Sequence, residues 1–322
     1  MRRVKMEGGV YHCMSRVVAG DYLLGEREKA VLCKQLWQVA EFCGVEILTY
    51  CIMSNHFHVL VRIPERVELS DVELLKRAEV LYFRDDDCLQ VIRNVFANGD
   101  KEAIERVKEK LYARMYDVSG FMKELKQRFS IWYNKNHGRY GVFWADRFKS
   151  VLVEGKRFAV EMVAAYIDLN PVRAGIVNDP KDYRYSGYGE AMSGIDRSRK
   201  GLMKAVYEED DWKGALTSYR QVLFGKGAVA RKEGQGSIDD ELAQNVLDKN
   251  GKLSKTELLY CRIRYFSNSV ILGSKEFVRE CYDSRKEYFD SQRRESKPKE
   301  LIGGDWGKLR VLRGLRNVHG EC

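Results

Sequence analysis

The sequence contains no C-x-x-C cysteine pair and no apolar run long enough to span a membrane. Its 322 residues include eight cysteines, which are scattered at positions 13, 33, 43, 51, 88, 261, 281 and 322. This spacing argues against a zinc ribbon and a dense disulfide framework and favours a reducing compartment. No stretch approaches the roughly 18 consecutive apolar residues of a transmembrane helix, and no apolar core of signal-peptide length follows the N-terminus. We therefore expect a cytoplasmic protein without membrane contact.

The composition is that of a soluble globular protein, because 44% of the residues are hydrophobic and 32% are charged. The net charge of +9 is unevenly distributed. Residues 1–194 carry 30 basic and 27 acidic side chains, whereas residues 195–322 carry 26 and 20, which places +6 in the second part. A basic chain of this kind favours polyanionic partners.

The hydrophobic pattern of the first half predicts an α+β fold. Residues 10–18 are typical of a strand, 26–42 of an amphipathic helix, and 45–53 and 57–63 of two strands separated by Ser54-Asn55, a typical tight hairpin. A charged, mostly helical insertion covers about 70–115. A further helix over 119–136, a strand over 148–153 and a helix over 156–169, which ends before Pro171, complete this part.

The second part of the chain differs in composition and is predicted to be a separate extension. We expect one domain over 1–194, a linker over 195–235 and a helical basic extension over 236–322, whose charge suits a polyanion such as DNA. Ser254 and Ser274 each open a segment with helix-capping residues, and the two short helices joined by 267–273 resemble a helix-turn-helix. Residues 291–322 are predicted to be a loosely ordered basic tail.

His56-Phe57-His58 is the most specific local feature of the sequence. Side chains alternate along a strand, so both imidazoles point to one face while Phe57 points to the other. Two imidazoles on one face can bind one metal ion. A histidine pair on a sheet face can equally have a structural role without a metal.

Tyr166 lies on the apolar stripe of the helix over 156–169, and Asn170 follows about one turn later on the same face. A phenol and an amide oxygen can thus be presented together. The alternative is that Tyr166 is an ordinary core aromatic and that Asn170 caps the helix before Pro171.

Three stretches together resemble a known family. They are Tyr50-Cys51-Ile52-Met53-Ser54-Asn55-His56-Phe57-His58-Val59-Leu60-Val61, Gly141-Val142-Phe143-Trp144-Ala145-Asp146-Arg147-Phe148-Lys149-Ser150 and Ala165-Tyr166-Ile167-Asp168-Leu169-Asn170-Pro171-Val172-Arg173-Ala174-Gly175. Over about residues 8–190 the chain resembles the REP-associated tyrosine transposases, which belong to the single-tyrosine HUH class of IS200-like transposases.

This resemblance implies a ferredoxin-like antiparallel sheet with helices on one face. It also implies that His56 and His58 are metal ligands, that Asn170 is the third ligand and that Tyr166 is the nucleophile. The chain departs from the common pattern at Ser54, where proline is usual, at Asp168, where histidine or tyrosine is frequent, and in its charged insertion. At helical spacing Asp168 points away from the face of Tyr166 and Asn170, so we expect it to be peripheral.

The resemblance implies a metal-dependent endonuclease and strand transferase that acts on single-stranded or hairpin DNA through a 5′-phosphotyrosine intermediate. A mixed nitrogen and oxygen ligand set suits Mg²⁺ or Mn²⁺, although two imidazoles bind Zn²⁺ or Ni²⁺ more tightly in vitro. Basic residues flanking the motifs are candidate phosphate contacts and neighbouring aromatic residues are candidate stacking surfaces for bases. These are Arg139, Arg147, Lys149 and Arg173, with Tyr140, Phe143 and Trp144 for stacking.

Two other functions are compatible with the same residues. One is a catalytically idle DNA-binding or regulatory protein that retains the fold, although such a protein does not need all four site residues. The other is a metal-dependent hydrolase that uses water as its nucleophile, for which Tyr166 is dispensable. We expect a monomer or a homodimer.

Overall fold

The computed structural model describes residues 4–82, 86–207, 211–224, 264–286, 289, 298–301 and 306–313. The strands in these residues form one sheet in the order β2-β3-β1-β4-β5-β7-β6. They are β1 (Val10–Arg16), β2 (Glu46–Ile52), β3 (His56–Arg62), β4 (Lys149–Val153), β5 (Ser269–Gly273), β6 (Lys299–Glu300) and β7 (Arg310–Arg313).

The described helices are distributed along the whole chain. They are α1 (Glu26–Cys43), α2 (Asp71–Leu81), α3 (Asp87–Asn98), α4 (Lys101–Tyr112), α5 (Val118–Asn136), α6 (Arg157–Asp168), α7 (Asn170–Arg173), α8 (Gly187–Met192), α9 (Asp196–Val206), α10 (Trp212–Phe224), α11 (Arg264–Asn268) and α12 (Lys275–Asp283). None of them is long and apolar enough to cross a membrane. The cysteines in the described residues are free thiols.

The predicted ferredoxin-like α+β class is confirmed. The order β1-α1-β2-β3-α5-β4 along the chain, with β2-β3-β1-β4 side by side and antiparallel, is the split βαβ arrangement. The helices α1 and α5 pack together on the face to which Phe57 points, where Phe57 contacts Trp144 with ring centroids 5.4 Å apart. Helix α6 packs against β2 and β3 and adds a layer on the opposite face, so helices cover both faces of the sheet and not the one face that the resemblance implies.

A tight hairpin joins β2 to β3 at Ser54-Asn55, as the sequence predicts. The backbone N–H of Met53 donates to the carbonyl of His56 at 2.8 Å and closes the turn. The turn fixes the register in which Ile52 pairs with Phe57 and Cys51 with His58. His56 and His58 therefore stand at the start of a central strand with neighbours on both sides.

The charged insertion consists of the three helices α2, α3 and α4. Helix α2 begins with a capping box in which Ser70 and Glu73 exchange hydrogen bonds, and it packs on α1. An ion pair of 2.7 Å between Lys108 and Asp71 links α4 to α2. The insertion thus extends the α1 side of the molecule.

Residues 196–206 and 212–224, predicted as part of a linker, differ from that expectation because they form two packed helices. Helix α9 approaches β2 closely at Gly201, where a Cβ atom would lie 2.5 Å from the carbonyl oxygen of Ile47. Helix α10 packs on α6 and α9 and buries Tyr219. Residues 208–210 and 225–235 of the predicted linker lie outside the described residues.

The C-terminal segment also differs from its prediction, because it adds strands to the sheet. Strand β5 pairs with β4 in parallel, with Leu152 opposite Ile271 and Val153 opposite Leu272, and β7 and β6 continue the sheet beyond it. The predicted helix-turn-helix is wrong, because Ser269–Gly273 is a strand between α11 and α12. Within the predicted loose tail, Trp306 and Val311 are buried. Residues 291–297, 302–305 and 314–322 of this tail, and Ser254, lie outside the described residues.

Candidate active site

The alternation of β3 places both imidazoles on the face covered by α6. The rings of His56 and His58 lie 5.2 Å apart, centroid to centroid, and nearly perpendicular to each other. His58 is 6% exposed, so it faces the interior between the sheet and α6. The structure therefore brings the predicted pair together.

Tyr166 of α6 lies next to this pair. Its ring centroid is 6.2 Å from that of His58, and only 3% of the residue is exposed. Phe266 of α11 contacts it at 5.2 Å, and the guanidinium of Arg173 lies 4.3 Å from the ring centroid. The phenol is thus beside the histidine pair and beneath a cover that the C-terminal segment supplies.

Asn170, at the start of α7, is held by the end of α6. Its Nδ2 donates to the carbonyl of Ile167 at 3.1 Å and makes a longer contact of 3.5 Å with that of Tyr166. Because the amide nitrogen is engaged by the helix, Oδ1 is the atom of this side chain that can ligate a cation. The side chain therefore caps the helix, as one interpretation expects, and still presents an oxygen.

His12 of β1 belongs to the same site and was missed in the sequence. It is fully buried; its Nε2 lies 2.8 Å from Nδ1 of His58, and its Nδ1 lies 2.8 Å from the carbonyl oxygen of Phe266. Burial lowers the pKa of His12 to about 4, and burial and the neighbouring His12 hold the pKa of His58 well below its usual range. Both rings are therefore neutral at pH 7. The sequence could have indicated His12, because it lies on β1, a strand that the ferredoxin-like order places beside β3.

His56 is held in a similar way by its neighbour in the turn. Asn55 donates from Nδ2 to the carbonyl of Gly20 at 3.0 Å, which directs its Oδ1 to Nδ1 of His56 at 2.6 Å. An amide oxygen only accepts, so Nδ1 of His56 donates and, in the neutral ring, Nε2 carries the lone pair.

Two cations share the sheet face of the histidines by strand register. Arg16 stands opposite His56 on β1 and is exposed, and Lys149 stands opposite Met14, which is itself opposite His58. Lys149 is thus two strands, or about 10 Å, from His58. The sequence motifs pointed to Lys149 but not to Arg16, because the pairing of β1 with β3 was not visible in them.

Asp168 points away from the site, as predicted. The two oxygens of its carboxyl group accept from the hydroxyls of Thr49 at 2.7 Å and Tyr219 at 2.5 Å. Burial raises its pKa from 3.8 to about 7, against the opposing effect of these two donors. The side chain joins α6 to β2 and α10 and is committed to the core.

The other residues predicted to contact DNA are placed differently. Arg147 is exposed, Arg139 is half-buried, and Arg173 donates to the carbonyl of Tyr166 at 2.6 Å. Tyr140 is 95% exposed and offers a free ring face. The stacking role predicted for Phe143 and Trp144 is wrong, because these residues are 1% and 8% exposed and pack against Phe129 in the core.

The donor set fits a hard divalent cation with water completing its shell. The two imidazoles lie together, the end of α6 offers the amide oxygen of Asn170, and no cluster of three histidine, cysteine, aspartate or glutamate side chains suited to a metal occurs in the described part of the chain. Both nitrogens of His12 are hydrogen-bonded, so it does not supply a third imidazole. This composition suits Mg²⁺ or Mn²⁺ better than a closed structural zinc site.

Comparison with known proteins agrees with the sequence motifs in the first part of the chain. Residues 6–94 match the family described as transposase IS200 like. No curated protein matches the chain. A solved structure described as a REP-associated tyrosine transposase bound to a REP hairpin is 18% identical, with a TM-score of 0.39, over 60% of this chain and 85% of that chain. The matched family segment contains His12, His56 and His58, whereas Tyr166 and Asn170 follow it. The predicted resemblance to IS200-like transposases is thus confirmed over residues 6–94.

Proposed function

We propose that the chain is a metal-dependent transposase that cleaves and rejoins single-stranded or hairpin-forming DNA through a 5′-phosphotyrosine at Tyr166. The observation that carries this proposal is the position of the phenol, whose ring centroid lies 6.2 Å from that of His58 on the sheet face of the histidine pair. Tyr166 and the histidines come from segments more than 100 residues apart, and the fold brings them into one site. The family match to residues 6–94 supports the same class of reaction.

His56, His58 and Asn170 would hold the cation. When bound there, Mg²⁺ or Mn²⁺ neutralises charge on the scissile phosphate and makes phosphorus more electrophilic. Asn55 and the end of α6 fix the directions of His56 and Asn170, so the ligand directions are set before DNA arrives.

Tyr166 supplies the nucleophile. Its oxygen forms a bond to phosphorus as the bond from phosphorus to the 3′ oxygen breaks, and the proton lost by the phenol is balanced by the one that the 3′ oxygen takes up. The product is a 5′-phosphotyrosine and a free 3′-hydroxyl. Attack by a 3′-hydroxyl on this phosphotyrosine restores the phosphodiester and releases Tyr166, so rejoining needs no nucleotide cofactor.

Access to the phenol requires that its cover be displaced. Phe266 contacts the Tyr166 ring directly and Trp306 packs on Phe266 at 5.6 Å. A phosphodiester reaches the hydroxyl only when this aromatic contact opens. DNA binding is therefore coupled to movement of the Phe266 ring.

Cations and an exposed ring on the surface suit a polyanionic substrate with unpaired bases. Arg16 and Lys149 flank the histidines on the same sheet face, Arg147 is exposed two residues before Lys149, and the exposed Tyr140 provides a stacking surface. We assign phosphate contacts to the three cations and base stacking to Tyr140.

The test is cleavage of a library of end-labelled single-stranded hairpins in Mn²⁺. The wild type should give a shortened strand and a protein–DNA adduct. Tyr166→Phe should give neither while still binding the same hairpins, and Tyr22→Phe, which alters an 80% exposed tyrosine, should behave as the wild type.

Each other result identifies an alternative. Cleavage by Tyr166→Phe would show that water is the nucleophile. Binding of hairpins without cleavage by the wild type would show a DNA-binding protein that does not use catalysis. Cleavage that continues in EDTA would remove the metal from the proposal.

A further inference from the structure

A continuous chain of hydrogen bonds runs from the C-terminal segment to the metal-ligand candidate His58. The carbonyl oxygen of Phe266 contacts Nδ1 of His12, and Nε2 of His12 contacts Nδ1 of His58, each at 2.8 Å. Both contacts are buried. The ring of His12 also lies edge-on to that of Tyr166, 6.1 Å centroid to centroid, but both of its ring nitrogens are engaged in this chain, so neither is available to a cation or to the phenol.

We propose that His12 is a positioning residue: anchored by the carbonyl of Phe266, it fixes His58 as the Nδ1–H tautomer and thereby presents Nε2 of His58 to the cation. This inference rests on the proposed function, since it assigns a purpose to the histidine pair.

The direction of each hydrogen bond follows from the carbonyl group of Phe266, at which this series of hydrogen bonds ends. A carbonyl oxygen has no proton to give, so Nδ1 of His12 donates to it. A neutral imidazole has a single N–H, so Nε2 of His12 accepts. His58 must then donate from Nδ1, which places its lone pair on Nε2.

The tautomer decides whether His58 can bind a metal through Nε2, because a protonated nitrogen cannot be a ligand. A partner that holds the other ring nitrogen fixes both the tautomer and the ring orientation. The tautomer of His56 is fixed in the same way by a hydrogen bond to Asn55, which is itself held by the carbonyl of Gly20. The tautomer and orientation of each imidazole are thus fixed by a neighbouring side chain, which in turn donates a hydrogen bond to a backbone carbonyl.

Through the hydrogen bond between the carbonyl of Phe266 and His12, the C-terminal segment contributes to the site. Phe266 lies 254 positions after His12 in the sequence and is carried by α11, which packs against β1 and β4. The same residue covers Tyr166 with its ring and holds His12 with its carbonyl. Loss of its position would therefore disturb both the nucleophile and one metal ligand.

Two substitutions separate the roles of the two ring nitrogens of His12. In His12→Asn the amide occupies the place of Nδ1 and can still donate to the carbonyl of Phe266, but nothing accepts from His58. In His12→Gln the longer side chain brings Oε1 to the place of Nε2, where it can accept from His58. The sequence has only five histidines, so the ring nitrogens can be assigned by ¹⁵N NMR in the metal-free protein.

We expect wild-type His12 and His58 both to show protonated Nδ1 and unprotonated Nε2 without metal. His12→Gln should keep this state of His58 and bind Mn²⁺, measured by electron paramagnetic resonance, within a few-fold of the wild type. His12→Asn should lose the fixed tautomer and bind Mn²⁺ about 10- to 100-fold more weakly.

A wild-type His58 with protonated Nε2 would overturn the inference, and so would a His12→Asn variant that binds Mn²⁺ as tightly as the wild type. The wild-type spectrum decides the matter even if a variant does not fold. A wild type with the expected tautomers and Mn²⁺ affinity that never cleaves DNA would refute the proposed function while leaving the role of His12 intact.

Discussion

Leu272→Ala tests whether the C-terminal strands belong to the same cooperative unit as the site. Leu272 of β5 is fully buried and stands opposite Val153 of β4 on one side and Val311 of β7 on the other. Leucine-to-alanine substitutions in well-packed cores cost roughly 2–5 kcal/mol, and a loss of about 3 kcal/mol is reasonable for a side chain enclosed by two strands. At about 1.4 kcal/mol per tenfold, this corresponds to roughly a 100-fold change in an unfolding equilibrium.

Hydrogen exchange followed by mass spectrometry is the appropriate assay. If β5 and β4 share one core, the substitution should reduce protection in β1 and β3 as well as in β5 and β7, by roughly 100-fold where exchange occurs through global unfolding. Arg279→Ala, an exposed substitution in the same segment, should change protection little. Reduced protection confined to β5 and β7, with β1 and β3 unchanged, would refute the shared core.

Three further predictions concern charge. Lys149→Ala and Arg147→Ala should each lower the slope of log K against log salt for hairpin binding by about one. The control Arg106→Ala, in the insertion, should leave this slope unchanged. A slope equal to that of the wild type in both variants would remove the two residues from the interface. Arg16→Ala, beside His56, should reduce single-turnover cleavage at least tenfold under conditions where the variant is saturated with DNA, and an unchanged rate would show that Arg16 does not act on the phosphate. Between pH 5 and 7, the free energy of unfolding of the wild type, measured in urea, should fall by about 1.4 kcal/mol per pH unit relative to that of Asp168→Asn. The reason is that the raised pKa of about 7 makes the folded protein hold a proton that the unfolded chain has released. Parallel pH dependences of the two proteins would contradict the buried, protonated carboxyl.

The first half of the fold could be predicted from local patterns. Alternation along 57–63 and the turn at Ser54-Asn55 specify a hairpin, and the structure places β3 at His56–Arg62. The apolar stripe over 156–169 specifies α6 at Arg157–Asp168. In each case the information lies within one element, where side-chain period and turn chemistry decide the outcome.

The remainder depends on pairing between distant segments. The apolar residues of β5 form a short run between polar stretches, and their partner strand β4 is more than 100 residues away, so no local period marks them as a strand. The same distance concealed His12, whose role depends on both β3 and α11, and Arg16, whose position follows from the register of β1. Phe143 and Trp144 were misplaced because an aromatic pair in a loop has the same pattern whether it faces solvent or the core.

Mapping a DNA adduct to one residue tests whether Tyr166 is the nucleophile. The protein is incubated with hairpin DNA and Mn²⁺, digested with protease and nuclease, and analysed by mass spectrometry. Assignment of the nucleophile to Tyr166 predicts a nucleotide attached through its 5′-phosphate to the peptide that contains Tyr166, together with a free 3′-hydroxyl on the released strand. Cleavage accompanied by an adduct on another residue, or by no adduct under conditions that trap the intermediate, would contradict it.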